Sequence, residues 1–139
     1  MIVLDTNVIS AMMRPAPDPL VLCWLDKQPR ASMWTTSITV FEIRFGLQTM
    51  PAGNRQSTMS TLFESWLNEV VRQRVAFFDD TAARQAAELA AQRQKSDRPG
   101  DLRDTMIAGI VLASRATLAT RNVKHFEDIA SSVVNPWTA

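Results

Sequence analysis

The chain of 139 residues holds one cysteine, one histidine and only four glycines. Cys23 alone cannot form an internal disulfide or a thiolate zinc cage. Within Leu22-Cys23-Trp24-Leu25 it reads as a small buried apolar residue. With His125 as the single histidine, any metal must rely mainly on oxygen ligands, and a Ser-His-Asp arrangement is disfavoured. No Gly-x-Gly-x-x-Gly or Gly-x-x-x-x-Gly-Lys loop is present, which argues against a glycine cradle for a nucleotide. A Gly-x-Ser-x-Gly elbow and a calcium-loop spacing are missing too. No apolar run reaches membrane-spanning length, and no basic leader precedes an apolar stretch. A cytoplasmic protein without a membrane partner is expected. The net charge of +1 does not by itself point to nucleic acid. Twelve of the fifteen basic residues are arginine, whose forks match phosphate oxygens. Codon usage accounts for that bias equally well.

What is present is ordinary globular material, 46% hydrophobic and 21% charged, long enough for one domain over residues 1–139 with a real core. Ile2-Val3-Leu4 is apolar without alternation, as in a strand buried on both faces. Helical spacing follows in Val8-Ile9 with Met12-Met13, and again from Leu20 to Lys27. Met33-Trp34-Thr35 reads as a strand and Ile38 to Thr49 as a helix. Residues 55–73 form an amphipathic pattern with Met59, Leu62, Phe63, Trp66, Leu67, Val70 and Val71 on one stripe. Val75 to Phe78 is a third strand. Asp79-Asp80-Thr81 then caps an alanine-rich helix ending near Lys95. A helix from Leu102 to Arg115 leads into the strand Thr117-Leu118-Ala119, and Ser132-Val133-Val134 is the last strand. Strands alternating with helices predict an α/β fold. Its layers are α/β/α around a central, mostly parallel sheet of four to five short strands. Ligands of such sheets bind at the carboxyl ends of the strands, where the strand order reverses.

Three acids stand in apolar company: Asp5 after Ile2-Val3-Leu4, Glu42 within Ile38 to Ile43, and Asp104 before Met106-Ile107-Ala108. A carboxylate drawn into such surroundings costs several kcal/mol unless paired or metal-bound. Each also has a local reading. Asp5 suits a helix N-cap, and one oxygen can cap while the other faces a cleft. Glu42 fits a capping box with Thr39. If Ser37 is the cap instead, Glu42 falls on an inward stripe with Ile38, Phe45 and Gly46. Asp104 suits a helix dipole, but it shares a stripe with Ile107, Ala108 and Val111, and Asp101 is the better cap. A shared hard cation, Mg²⁺ or Mn²⁺, explains all three together.

Leu4-Asp5-Thr6-Asn7, Ser37 to Glu42, Asp104 to Gly109 and Ala119-Thr120-Arg121-Asn122 occur in this order. Together they resemble the PIN-domain ribonucleases, specifically the VapC/FitB-type toxins of bacterial toxin–antitoxin pairs. Asn135-Pro136-Trp137 is similar to the FitB-like branch. The resemblance implies a Mg²⁺- or Mn²⁺-dependent endoribonuclease that leaves 5′-phosphate and 3′-hydroxyl ends, with Asp5, Glu42 and Asp104 as the metal-binding catalytic acids. It implies supporting roles for Thr6, Asn7, Thr120 and Asn122. Many members carry a fourth acid after the fourth strand. Here Asn122 and His125 occupy the two places where it would stand. His125 is either a neutral nitrogen ligand or an ordinary surface histidine beside Lys124.

Arg44, Arg98, Arg103, Arg121 and Lys124 are candidate phosphate contacts for an RNA substrate, with tRNA a family-level expectation. The resemblance also implies a cognate antitoxin, a homodimer within a larger hetero-oligomer, and DNA contact only through the antitoxin. Exposed apolar residues of helices 20–28 and 55–73, Trp24 and Trp66 included, are candidates for the antitoxin groove, unless both tryptophans belong to the core. Two rivals stand beside this reading. One is a PIN-fold binding or assembly module weak or inactive in catalysis. The other is a phosphoacceptor receiver domain, a poor fit because strand one ends in a single acid.

Overall fold

The computed structural model describes residues 1–139. Five short strands, β1 (Ile2–Leu4), β2 (Met33–Thr36), β3 (Val75–Ala76), β4 (Thr117–Ala119) and β5 (Val133–Val134), form one sheet in the order β3-β2-β1-β4-β5. Every neighbouring pair is parallel. Six helices separate them: α1 (Thr6–Met12), α2 (Pro19–Asp26), α3 (Ser37–Thr49), α4 (Asn54–Ser65), α5 (Asp80–Lys95) and α6 (Leu102–Ser114). This is the three-layer α/β/α arrangement that the alternation of strands and helices predicts. A receiver domain has the order 2-1-3-4-5, so that rival is excluded by the order found here.

The pleat explains why the strands lack a polar face. Leu4, Met33 and Ala119 turn to one side, where Val8, Ile9, Val21, Leu25, Ile43 and Phe63 of α1 to α4 cover them. Val3 and Leu118 turn to the other, against Leu89 of α5 and Ile107, Ala108 and Val111 of α6. Each fully buried Leu, Ile or Phe contributes about 1.5–3 kcal/mol. α5 and α6 approach most closely at Gly109. A Cβ there would stand 2.5 Å from the Ala82 carbonyl oxygen and 2.7 Å from Ala86 Cβ.

Several local expectations fail for identifiable reasons. The amphipathic stretch 55–73 is not one helix. α4 stops at Ser65 and widens into a π-helical turn, Trp66–Val70. Arg72 and Gln73 then adopt left-handed φ of 48° and 59°, which reverses the chain into β3. Arg74 pins this reversal by donating to the carbonyls of Met33, Arg30 and Val70. Trp66 is buried, so it is core and not groove surface, and Trp24 packs partly buried against the same core. Cys23 is exposed, because α2 turns Val21 and Leu25 inward and leaves Cys23 outside. The cap of α3 is Thr36, whose hydroxyl accepts from Thr39 N–H at 3.0 Å, and neither Ser37 nor Thr39. Ser37 instead accepts from Phe78 N–H. Phe45 does not face inward either. It is 55% exposed and stacks on Phe41 with 6.1 Å between ring centroids.

From β1 the chain builds outward through β2 and β3, then returns to place β4 on the other side of β1. The strand order therefore reverses between β1 and β4, where doubly wound sheets open a crevice at their carboxyl ends. Asp5 leaves β1 there and Thr120 leaves β4. No helix is long and apolar enough to cross a membrane.

Candidate active site

Asp5 plays two parts at once. Its Oδ1 accepts from Thr6 N–H at 2.8 Å, as the N-cap of α1. Its Oδ2 accepts from the Thr120 hydroxyl at 2.7 Å and from Asn7 Nδ2 at 3.3 Å. The side chain is almost wholly enclosed. Burial pushes its carboxyl above the ordinary aspartate value, and the negative charge of Asp104 pushes the same way. The bonds from Thr120, Thr6 and Asn7 oppose that rise. Asn7 and Thr120 also tie the segment after β1 to the segment after β4. Asn7 Nδ2 reaches Thr120 Oγ1 at 3.3 Å, Asn7 Oδ1 accepts from Arg121 N–H, and Thr120 Oγ1 accepts from Asn122 N–H.

Glu42 arrives on α3 with one-fifth of its side chain exposed. Its Oε1 accepts from the Thr6 hydroxyl at 3.2 Å, and its Oε2 lies 3.9 Å from Arg103 Nη1. Burial raises its carboxyl above the usual range. Thr6 and Arg103 pull it down, and the charges of Asp5 and Asp104 push it up. Asp104 sits in the first turn of α6, where Asp101 takes the capping role by accepting from the N–H groups of Arg103 and Asp104. That frees the Asp104 side chain. Its Oδ2 lies 2.9 Å from His125 Nδ1, in the 3₁₀ turn Val123–Phe126 after β4. His125 is therefore a partner of Asp104 and not simply a surface residue beside Lys124, though its side chain remains 57% exposed.

The fold thus brings the three acids toward one crevice from the end of β1, the middle of α3 and the first turn of α6, close enough that the charge of Asp104 disfavours ionisation of both Asp5 and Glu42. Their donors are all oxygen, which fits a hard cation such as Mg²⁺ or Mn²⁺ and not zinc or copper. A positive charge there would offset the burial that chiefly raises the Asp5 and Glu42 carboxyls, and the repulsion that adds to it. Tight convergence within a few ångströms is not found. No three His, Cys, Asp or Glu side chains gather at metal-holding separation, and Asp104 is turned toward His125.

The basic residues fall into different places. Arg103 faces Glu42. Arg98 and Lys124 line a pocket of about 220 Å³ with Asp104 and His125, and Arg98 also pairs with Glu127 at 2.7 Å. Arg121 lies over the Trp137 ring, 4.8 Å from its centroid, beside Asn122, Lys124 and His125. Arg44 does not join them. It is engaged by Glu64 at 2.6 Å and stacks over Phe63 on α4.

Arg93 and Asp128 escape a reading of the sequence. Arg93 is only 5% exposed, and its Nε and Nη2 hold both oxygens of Asp128 at 2.8 Å. That pairing draws the Asp128 carboxyl below its ordinary range. A signal did exist. Arg93 continues the buried stripe Ala82, Ala86, Leu89 at helical spacing.

Comparison with known proteins agrees with this fold. The plasmid stability protein StbB of Pseudomonas syringae pv. tomato is 40% identical over the whole of both chains. VapC ribonuclease Y4jK of Sinorhizobium fredii is 39% identical over 99% of this chain and 98% of its own. Toxin FitB of Neisseria gonorrhoeae is 30% identical over 99% of each. Among solved structures, FitAB bound to an IR36 DNA fragment superposes with a TM-score of 0.89 at 30% identity, covering 99% of this chain and 96% of the other. Residues 2–131 match the PIN domain, and with these full-length relatives beside that match, the chain belongs to the PIN-domain family, among the VapC- and FitB-like members.

Proposed function

We propose that this protein is a divalent-metal-dependent endoribonuclease toxin, held in check by a cognate antitoxin. The observation that supports the reading is that Asp5 and Glu42 are both bonded by Thr6 and both feel the charge of Asp104 at the switch point of the sheet, with Asn7 and Thr120 bonded to Asp5 and to one another. Names among the relatives, VapC ribonuclease and Toxin FitB, support the same chemistry. Asp5, Glu42 and Asp104 would hold Mg²⁺ or Mn²⁺. Such a cation lowers the pKa of a bound water and neutralises charge building on phosphate oxygens.

The chain's own residues do the rest. Thr120 and Asn7 fix the Asp5 carboxylate so that the ion does not have to order it. Thr6 does the same for Glu42. Arg103, Arg98, Lys124 and Arg121 flank the crevice and supply contacts for the RNA backbone, with Asn122 on the same rim. Arg44 drops out of this set because it lies against Glu64 and Phe63 of α4, and not beside the residues that line the Asp104 pocket. Single-stranded or looped RNA, such as part of a tRNA, suits an open crevice of this kind. Activity on the cell's own RNA would lie in the cytoplasm.

The antitoxin is expected to lay an apolar segment against α2 and α4, where Leu20, Leu22 and Leu62 are exposed. Two toxin copies would form a dimer within that complex. The DNA of the solved FitAB complex has its counterpart here in contact with the antitoxin and not with this chain. A second reading, an inert PIN-fold module, draws on the engagement of Asp104 by His125 and on Asn122 standing where many members carry an acid. Purified protein and total RNA with Mn²⁺ decide between them. Cleavage by the wild type and none by Asp5→Ala supports the nuclease. Equal signals from the two proteins refute it.

A further inference from the structure

Arg93 is an unexpected occupant of a helix–helix seam. Its guanidinium offers five N–H donors in a rigid fork. Nε and Nη2 hold the Asp128 carboxylate, Nη2 also donates to the His125 carbonyl at 2.7 Å, and Nη1 donates to the Thr105 hydroxyl at 2.9 Å. The Thr105 hydroxyl itself donates to the Asp101 carbonyl at 3.0 Å, which leaves its oxygen as the acceptor for Arg93. One side chain therefore ties the last turn of α5 to the first turn of α6 and to the segment 123–128. Asp104 is the neighbour of Thr105, and the His125 ring contacts the Asp104 carboxylate at 2.9 Å. These contacts form a closed circuit from Asp104 through the His125 ring and carbonyl to Arg93, and back through Thr105.

We propose that Arg93 is a positioning residue: it fixes the His125 segment against the start of α6 and so sets the direction in which Asp104 presents its carboxylate to the crevice. Arginine suits the task because three differently placed acceptors must be held at once. A lysine, as a compact point charge, cannot span them. Arg93 neither holds substrate nor moves protons. Its effect on cleavage rests on the nuclease reading, but the circuit belongs to the protein alone. Asp128 keeps 40% of its side chain exposed, so it can hydrate once Arg93 is changed.

Because His125 is the single histidine, its imidazole signals in a nitrogen–proton correlation spectrum need no assignment. Arg93→Lys and Thr105→Val are compared with the wild type, free of metal and RNA, with circular dichroism as the check on folding. Both variants are expected to shift the His125 ring nitrogens toward the values of a free imidazole. In a Mn²⁺ titration without RNA, the variants' Kd should weaken about tenfold, as for other residues that orient metal ligands. With RNA, kcat should fall while KM stays within about twofold, the pattern of a lost transition-state alignment. Folded variants with wild-type imidazole shifts and wild-type Mn²⁺ affinity would overturn the proposal. Should Arg93→Lys not fold, Thr105→Val, which replaces one hydroxyl by a methyl group, decides alone by the same two readouts. A wild type that neither binds Mn²⁺ nor cuts RNA defeats the nuclease reading, and the imidazole shifts then decide the circuit by themselves.

Discussion

Thr120→Val removes the bond on which the buried acid depends, together with those the same hydroxyl accepts from Asn7 and Asn122, and only the first depends on the charge of Asp5. Thr120 is fully enclosed, and its hydroxyl donates to Asp5 Oδ2 at 2.7 Å. Valine has nearly the same shape, so the substitution removes hydrogen bonding and little volume. A bond to an ionised group contributes about 1.5–3 kcal/mol, and one between neutral groups about 0.5–1.5 kcal/mol. Which value applies depends on the charge of Asp5. Burial places its folded-state carboxyl above the ordinary value of 3.8. Stability from this group is fully present below 3.8 and is lost as pH rises through the raised value. The Thr120 bond limits that loss because it favours the ionised form. Removing it raises the folded-state value further, so the damage done by the mutation grows with pH.

The measurement is a pair of thermal melts, wild type and variant, followed by circular dichroism in EDTA near pH 4 and near pH 8. At the higher pH the variant should lose about 1.5–3 kcal/mol, or roughly 5–12 °C for a chain of this size. At the lower pH the loss should shrink by about half. Equal shifts at both pH values, or none, would show that Thr120 does not support an ionised Asp5, and the account of the crevice would fail with it.

Two further outcomes bear on the acids and on the core. Mn²⁺ at about one hundred times its Kd should stabilise the wild type by about 2.7 kcal/mol, and Asp104→Asn should diminish that gain while keeping the fold; an unchanged gain in melting temperature would remove Asp104 from the site. Gly109→Ala should destabilise by about 1–3 kcal/mol despite alanine's better helix propensity. The new Cβ meets the Ala82 carbonyl at 2.5 Å and backbone cannot step aside cheaply. A neutral or stabilised variant in chemical denaturation would contradict the close approach of α5 and α6.

Much of this architecture is legible from residue pattern because the local and global signals agree. Ile2-Val3-Leu4 is apolar on both faces since helices cover both faces. Asp101 leaves Asp104 free because one cap suffices for α6. The crevice itself is less legible. Asp5 reads as a cap, and it is one, but its second oxygen finds Thr120 only through strand order, which no local pattern prescribes. His125 is hidden for the same reason, since its partner Asp104 lies on another element. Arg93 is misleading in a different way. An arginine in an alanine-rich helix reads as solvated, and only Asp128, far along the chain, makes its burial tolerable. Phe45 and Cys23 err in the opposite direction. Apolar residues are as free to face solvent as polar ones are restricted from the core, so hydrophobicity predicts burial one-sidedly.

The bond between Asp5 and Thr120 joins residues 115 positions apart. A ribosome adding about 5–20 residues per second finishes the first acid roughly 6–23 s before its anchoring hydroxyl exists. Until the fourth strand slots in beside the first, Asp5 is a hydrated carboxylate on an unfinished edge. The crevice is therefore among the last parts of the molecule to be completed, and any chemistry that needs a held Asp5 waits for the sheet to close.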